Sequence, residues 1–288
     1  MTRPCPGARA LTSRPHWQPP AGATDCHMHI FGPYGCYPLS PGRSYTPPEA
    51  SIAAYRAMCD TIGIQRTVVV QPSIYGTENE VSLDAVAQLG RDRARAVVVV
   101  DESFGLPALR AMAERGACGV RFNAVSGNGT PLAQIEALGA RLAELGWHMQ
   151  LYAHPTEMLA LEPVLVRLPC PLVIDHMGGV KSGDQGLNHP AFQALLRLLR
   201  GGAWAKLCGY RSSIAGAPYA DVATMARAMI EAAPERCVWG TDWPHPSLAS
   251  PEEVPDDGVL MDVLGDWAPE PSQRQAILVD NPARLYGF

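Results

Sequence analysis

From Ala23 onward the chain alternates between two hydrophobic rhythms. Short runs of apolar, β-branched residues recur, separated by longer stretches whose apolar positions fall three and four apart. The runs Thr67-Val68-Val69-Val70 and Val97-Val98-Val99-Val100 lack alternating polar positions, as strands of a parallel sheet buried on both faces do. In contrast, Leu132, Ile135, Leu138, Leu142 and Leu145 lie on one helical stripe. Pro131 suits the first turn of that helix and Thr130 its cap. This pattern predicts strands over 24–31, 66–71, 96–100, 118–123, 148–152, 172–175, 203–207 and 237–241. It predicts helices over 78–91, 106–115, 131–145, 156–168, 190–199 and 219–232, one more starting near Glu49, and a last helical stretch over 272–285.

Strict strand–helix alternation implies a parallel sheet with right-handed crossovers, and eight units fit a closed (β/α)8 barrel, the TIM-barrel architecture. No predicted strand runs into a Gly-x-Gly-x-x-Gly turn, so an open dinucleotide-binding sheet has no signal of its own. Two segments, 32–48 and 244–258, are long and irregular and are expected to cover the barrel mouth, with Tyr45 reaching whatever binds there. Residues 1–22, rich in proline and arginine, read as a flexible N-terminal arm, and 23–288 as one barrel domain.

Composition narrows the choice. A length of 288 residues suits one barrel, and 47% hydrophobic with 18% charged residues suits a folded globular chain. The formal net charge of −5 gives no support to nucleic-acid binding. No apolar run approaches the roughly 20 residues of a membrane helix. Eight scattered cysteines without a Cys-x-x-Cys pair read as reduced, mostly buried thiols of a cytoplasmic protein. The sequence sets no oligomeric state.

Barrel enzymes gather their chemistry at the C-terminal ends of the strands. The first predicted strand contains Asp25-Cys26-His27-Met28-His29, where His27 and His29, two apart, share a face. Ser73 follows the second strand, Arg121 and Asn123 end the fourth, and Tyr152 ends the fifth with His154 just beyond. Asp175-His176 ends the sixth, Lys206 and Arg211 flank the end of the seventh, and Asp242 follows the eighth. Each has a plain structural reading: His176 a hydrogen-bonded core residue, Asp242 a turn residue, Tyr152 packing, Arg121 and Arg211 surface residues with buried stems. Their convergence on one rim instead marks His27, His29, His176 and Asp242 as a reactive set.

The same residues carry a resemblance. Residues 25–33 (Asp-Cys-His-Met-His-Ile-Phe-Gly-Pro), 119–123 (Gly-Val-Arg-Phe-Asn), 174–178 (Ile-Asp-His-Met-Gly), 239–246 (Trp-Gly-Thr-Asp-Trp-Pro-His-Pro) and 281–286 (Asn-Pro-Ala-Arg-Leu-Tyr) resemble the amidohydrolase superfamily. Within it they resemble the 2-pyrone-4,6-dicarboxylate lactonases, in the same order from residue 25 to the end. The resemblance implies a hydrolase that opens a small carboxylated lactone by attack of water on the ring carbonyl, in the catabolism of aromatic compounds. It implies Asp242 as general base and His27, His29 and His176 as groups polarising the carbonyl. Arg121, Arg211 and Tyr152, with Ser73 and Tyr45, would hold substrate carboxylates. No cofactor is implied.

Two departures bear on this. The stretch 124–130 (Ala-Val-Ser-Gly-Asn-Gly-Thr) has no arginine where the dicarboxylate lactonases have one, so one carboxylate contact is in question. His154 stands where that group has no histidine, which leaves open a site of His27, His29, His154 and Asp242 for one divalent metal such as zinc. A sugar-acid lactone isomerase, a zinc-dependent lactonase or decarboxylase, and a barrel that binds without reacting also remain open.

Overall fold

The structure, a computed structural model, describes residues 2–183 and 186–288. Eight barrel strands run β1 Thr24–Met28, β2 Arg66–Val70, β3 Ala94–Val98, β4 Ala117–Asn123, β5 His148–Tyr152, β6 Leu172–Ile174, β7 Trp204–Leu207 and β8 Cys237–Trp239. Each pairs in parallel with its sequence neighbour. Helices α1 Ile52–Ile62, α2 Glu80–Leu89, α3 Leu106–Glu114, α4 Ile135–Leu145, α5 Pro155–Leu165, α6 Pro190–Arg200, α7 Ala223–Ala232 and α8 Asp257–Trp267 alternate with them. Short helices α9 Pro271–Gln275 and α10 Asn281–Tyr286 follow. This is the (β/α)8 barrel that the alternation predicts.

The barrel closes between β1 and the exit of β8 through one bridge, Met28 to Trp243. His29 N–H donates to the Trp243 carbonyl and Asp242 N–H to the His27 carbonyl, both at 2.8 Å. Asp25 rivets this seam. Its buried carboxylate accepts from the N–H groups of His27 and Thr241 at 3.0 Å, from the Thr241 hydroxyl at 2.6 Å and from the Tyr55 hydroxyl at 3.0 Å. Burial lifts the Asp25 carboxyl to about 6, against the opposing pull of these bonds. Gly240 permits the close approach, since a Cβ there would lie 2.7 Å from His27 Cβ and 2.9 Å from its main-chain nitrogen.

The barrel interior has an apolar layer and, nearer the C-terminal ends of the strands, a polar one. Cys26, Val68, Val70, Val97, Val173, Trp204 and Val238 cluster with Tyr286 of α10. His27, Arg121, Gln150, Asp175 and Lys206 are buried above them. The β1–β2 register shifts between Asp25 and Met28. The bulge leaves Cys26 in the apolar layer while His27 and His29 turn into the mouth.

Some expectations give way to local bonds. β3 ends two residues earlier than predicted because Asn79 takes over Val99: its Oδ1 accepts from Val99 N and its Nδ2 donates to Val99 O, each at 2.8 Å. Thr130 does not cap a helix; its hydroxyl donates to the Val100 carbonyl at 2.6 Å. The chain enters α4 through a 3₁₀ turn, Leu132–Gln134. Helix α8, absent from the sequence reading, is capped by Asp256, whose side chain accepts from Gly258 N–H. Where composition suggests a loose arm, Ser13 bonds Asp256 and Trp17 donates its indole N–H to the Met261 carbonyl at 3.1 Å. Arg3–Pro4 pairs in parallel with Tyr45–Thr46 of the mouth loop. All eight cysteines are free thiols, and no helix among the described residues is long and apolar enough to cross a membrane.

Replacing Asp25 by Ala would strand two main-chain N–H groups and two hydroxyls in a dry seam. An unsatisfied buried donor costs about 1–3 kcal/mol. We expect Asp25→Ala to lose about 3 kcal/mol or more in urea unfolding at pH 7, and Asp25→Asn, which keeps an acceptor for both N–H groups, much less. Equal losses in the two variants would contradict this account of the seam.

Candidate active site

The seam sets His27 and His29 directly against Asp242. Asp242 adopts the left-handed backbone region at φ 61°, which aspartate enters more readily than most side chains. The bond to His27 holds its N–H, and its carbonyl accepts from His245 N–H at 2.7 Å. Its two carboxylate oxygens are treated differently. Oδ2 accepts from the Tyr210 hydroxyl at 2.6 Å and from Arg211 Nε at 2.7 Å. Oδ1 faces His29 Nε2 at 3.2 Å and His27 Nε2 at 3.6 Å. His176 Nε2 lies 4.0 Å from Oδ2. Burial alone would raise the Asp242 carboxyl, but the Arg211 guanidinium on Oδ2 holds it well below the usual carboxylate range.

Burial pushes all three imidazoles the other way, His176 to about 4, so they are neutral near pH 7. His29 Nδ1 lies 2.7 Å from the Val70 carbonyl, which can only accept. The proton of His29 therefore sits on Nδ1, and its bare Nε2 faces Asp242 Oδ1. The bare nitrogen and the carboxylate oxygen, 3.2 Å apart, give this side of the mouth two neighbouring acceptors.

Beneath them lies a second buried carboxylate. Asp175 Oδ2 accepts from Arg121 Nε at 3.1 Å and Gln150 Nε2 at 2.9 Å. Burial opposes its charge, but the Lys206 ammonium and the Arg121 guanidinium hold it well below the usual range. Tyr152 stands edge-on to His176, centroids 4.7 Å apart, and 5.8 Å from the Arg121 guanidinium. Tyr45 is buried beside Ser73, their hydroxyls interacting. The loops after β1, β2 and β4 form one wall: Asn128 donates to the Ser73 carbonyl and meets Ser40, and Ser44 donates to the Ser126 carbonyl at 2.9 Å.

Two expected residues sit differently. Arg211 turns its fork onto Asp242 and the Pro246 carbonyl, not the open mouth. His154 is exposed at the N-cap of α5, where Glu157 accepts from its N–H at 3.1 Å. β5 ends at Tyr152 and Pro155 starts the helix, so by His154 the chain has left the barrel. The four-ligand set that included His154 is therefore not assembled. Among the described residues, three other groups of possible ligand atoms lie within 4.8 Å: His27 with His29 and Asp242, His27 with Asp175 and His176, and His176 with Cys208 and Asp242. The first has the nitrogen and oxygen donors zinc favours. It is ringed by positive charge, however, with the Lys206 ammonium 3.3 Å from His27 Nδ1 and the Arg211 guanidinium on Asp242. A further cation does not fit that group as it stands.

Sequence reasoning passed over Tyr210, Gln150 and the inward turn of Asp175. Tyr210 lies in a 3₁₀ turn with no strand period to aim it. Strand alternation would send Asp175 and His176 to opposite faces, but β6 ends at Ile174 and His176 takes φ 47°. Only Gln150, two residues before Tyr152 on β5, carried a readable signal.

The chain is similar to known proteins over nearly its whole length. A family model described as amidohydrolase matches residues 24–288. A 2-pyrone-4,6-dicarboxylate hydrolase of Comamonas testosteroni is 38% identical over 96% of this chain and 94% of its own. A 4-sulfomuconolactone hydrolase of Hydrogenophaga intermedia is 39% identical over 93% of this chain and 89% of its own. A D-galactarolactone isomerase of Agrobacterium fabrum is 33% identical over 93% of this chain and 91% of its own.

The buried histidines predict an acid response. His27, His29, His148 and His176 titrate below the unfolded value of about 6.5, chiefly through burial, His148 at about 3 and His176 at about 4. Between those values and about 6.5 the unfolded chain binds protons that the native chain refuses. Their contribution is complete above about 6.5 and is lost as pH falls through the folded values. Asp25, raised to about 6, opposes them between its unfolded value and that pH. We expect the unfolding free energy from urea titrations to fall steadily from pH 7 to pH 4. A flat profile would contradict burial of neutral imidazoles.

Proposed function

This chain belongs to the amidohydrolase family, and on that premise we propose that it is a lactonase, adding water to the ring carbonyl of a small carboxylated lactone. The observation that carries this reading is the divided carboxylate of Asp242, with Oδ2 anchored by Tyr210 and Arg211 and Oδ1 left facing His29 and His27. A water that donates a hydrogen to Asp242 Oδ1 attacks the carbonyl carbon as Asp242 takes its proton. Imidazole N–H groups of His27 and His176 meet the oxyanion. The ring C–O bond then breaks, and the proton passes to the departing ring oxygen, leaving an open acid.

Arg121 is the natural holder of the substrate carboxylate, because Asp175 occupies only its Nε. Tyr152, Ser73 and Tyr45 line the approach. Arg211 keeps Asp242 ionised but also weakens it as a base. A substrate carboxylate that shares Arg211 would return some of that basicity. Residues 124–130 bring no cation to the wall, which favours a substrate with a single carboxylate near Arg121. Water does the chemistry with these side chains alone, and no metal takes part. The likeness to a galactarolactone isomerase favours a second reading, in which an internal hydroxyl recloses the opened ring.

The test is a screen of carboxylated lactones, 2-pyrone-4,6-dicarboxylate included, run in ¹⁸O-water with and without chelator. We expect an open acid carrying ¹⁸O, formed equally fast with chelator. A product lacking the label would move the assignment to the isomerase. Asp242→Asn should fold normally and lose about 10²–10⁴-fold in turnover. Retained turnover would remove Asp242 as the base.

A further inference from the structure

His27 lies between two buried groups that make opposite demands on it. Lys206 Nζ is 3.3 Å from its Nδ1, and Asp175 Oδ1 is 3.5 Å from the same nitrogen. An ammonium offers only hydrogens, so contact with Lys206 requires a bare Nδ1 and a proton on Nε2. A carboxylate offers only lone pairs, so contact with Asp175 requires the reverse. Which neighbour prevails decides what His27 presents to the barrel mouth.

The geometry favours Lys206. The Gln150 amide is fixed with its Nε2 donating to Asp175 Oδ2 at 2.9 Å, which turns its Oε1 toward Lys206 at 2.7 Å. That bond, with Asp175 Oδ1 at 3.5 Å, seats the fully buried Lys206 Nζ against the imidazole. On the far side, His27 Nε2 has no hydrogen-bond partner and points at Asp242 Oδ1 from 3.6 Å. His29 is set the opposite way, its Nδ1 bound to the Val70 carbonyl and its Nε2 bare.

We propose that Lys206 is a positioning residue that fixes the His27 proton on Nε2, giving the site one donor imidazole beside one acceptor imidazole and closing His27 Nε2 to a metal. His27 then offers a hydrogen where an oxyanion would form, and His29 a lone pair where water would be held. This use of the two rings rests on the lactonase reading; the tautomer itself does not. Without Lys206, Asp175 Oδ1 is left as the polar neighbour of Nδ1. The proton moves to Nδ1, the mouth loses its donor, and the Nε2 atoms of His27 and His29 with Asp242 Oδ1 become three bare ligands.

The test is ¹⁵N NMR of histidine-labelled protein at pH 7 without substrate, with the His27 ring signals assigned by His27→Gln. We expect the unaltered chain to carry the His27 proton on Nε2 and the His29 proton on Nδ1, and Lys206→Met to move the His27 proton to Nδ1. Zinc alone, added in calorimetry, should bind Lys206→Met at least tenfold more tightly than the unaltered chain. Turnover should fall in that variant with little change in KM. A His27 proton on Nδ1 in the unaltered chain overturns the proposal whether or not the variant folds, as does an unmoved proton in a folded Lys206→Met. A lactone screen without activity would leave the NMR result standing.

Discussion

The contact between β1 and the exit of β8 is the constraint on which the rest of the molecule hangs. Every other neighbouring pair in the barrel is a ladder of two or more residue pairs, whereas this one is a single bridge and two main-chain bonds. Asp25 and Gly240 make it possible, one by gathering four donors and the other by having no side chain. His27 and His29 come from one side of that contact and Asp242 from the other. The geometry of the site is therefore the geometry of barrel closure, and shifting one shifts the other.

Electrostatics adds a second constraint. Asp175 and Asp242 are both buried, and an unpaired charge at such depth would be prohibitive. The chain answers with Arg121, Lys206 and Arg211, each on a carboxylate. The imidazoles lie between these layers and stay neutral, and their hydrogens are placed by neighbours rather than by pH. Overall charge says nothing of this arrangement, which arises from individual pairs.

Much of the fold was legible because strand and helix periods are strong along this chain. The eight strands and the placing of His27, His29, His176 and Asp242 at one rim follow from period and barrel geometry. What escaped the sequence reading depends on bonds between distant residues. Asn79 shortens β3, Thr130 bonds a carbonyl instead of capping a helix, and Asp25 looks like part of the histidine motif although it serves the seam. His154 reads as a ligand only while its loop is imagined straight. Tyr210 and Asp175 become visible once turns with left-handed or 3₁₀ geometry aim them, and no periodicity encodes such turns.

The seam also joins the beginning of the barrel to its end: Thr241 and Asp25 are 216 positions apart. During synthesis β2 can pair with β1, β3 with β2 and so on as each emerges, but β1 keeps one open edge until β8 arrives. Ordering so long a loop has to precede any reward from its contacts. A nascent chain thus carries His27 and His29 on a strand with one open edge until β8 is made, exposed to mispairing. A chain that stops short of Asp242 therefore has histidines but no carboxylate to face them, and the site exists only once the exit of β8 has docked on β1.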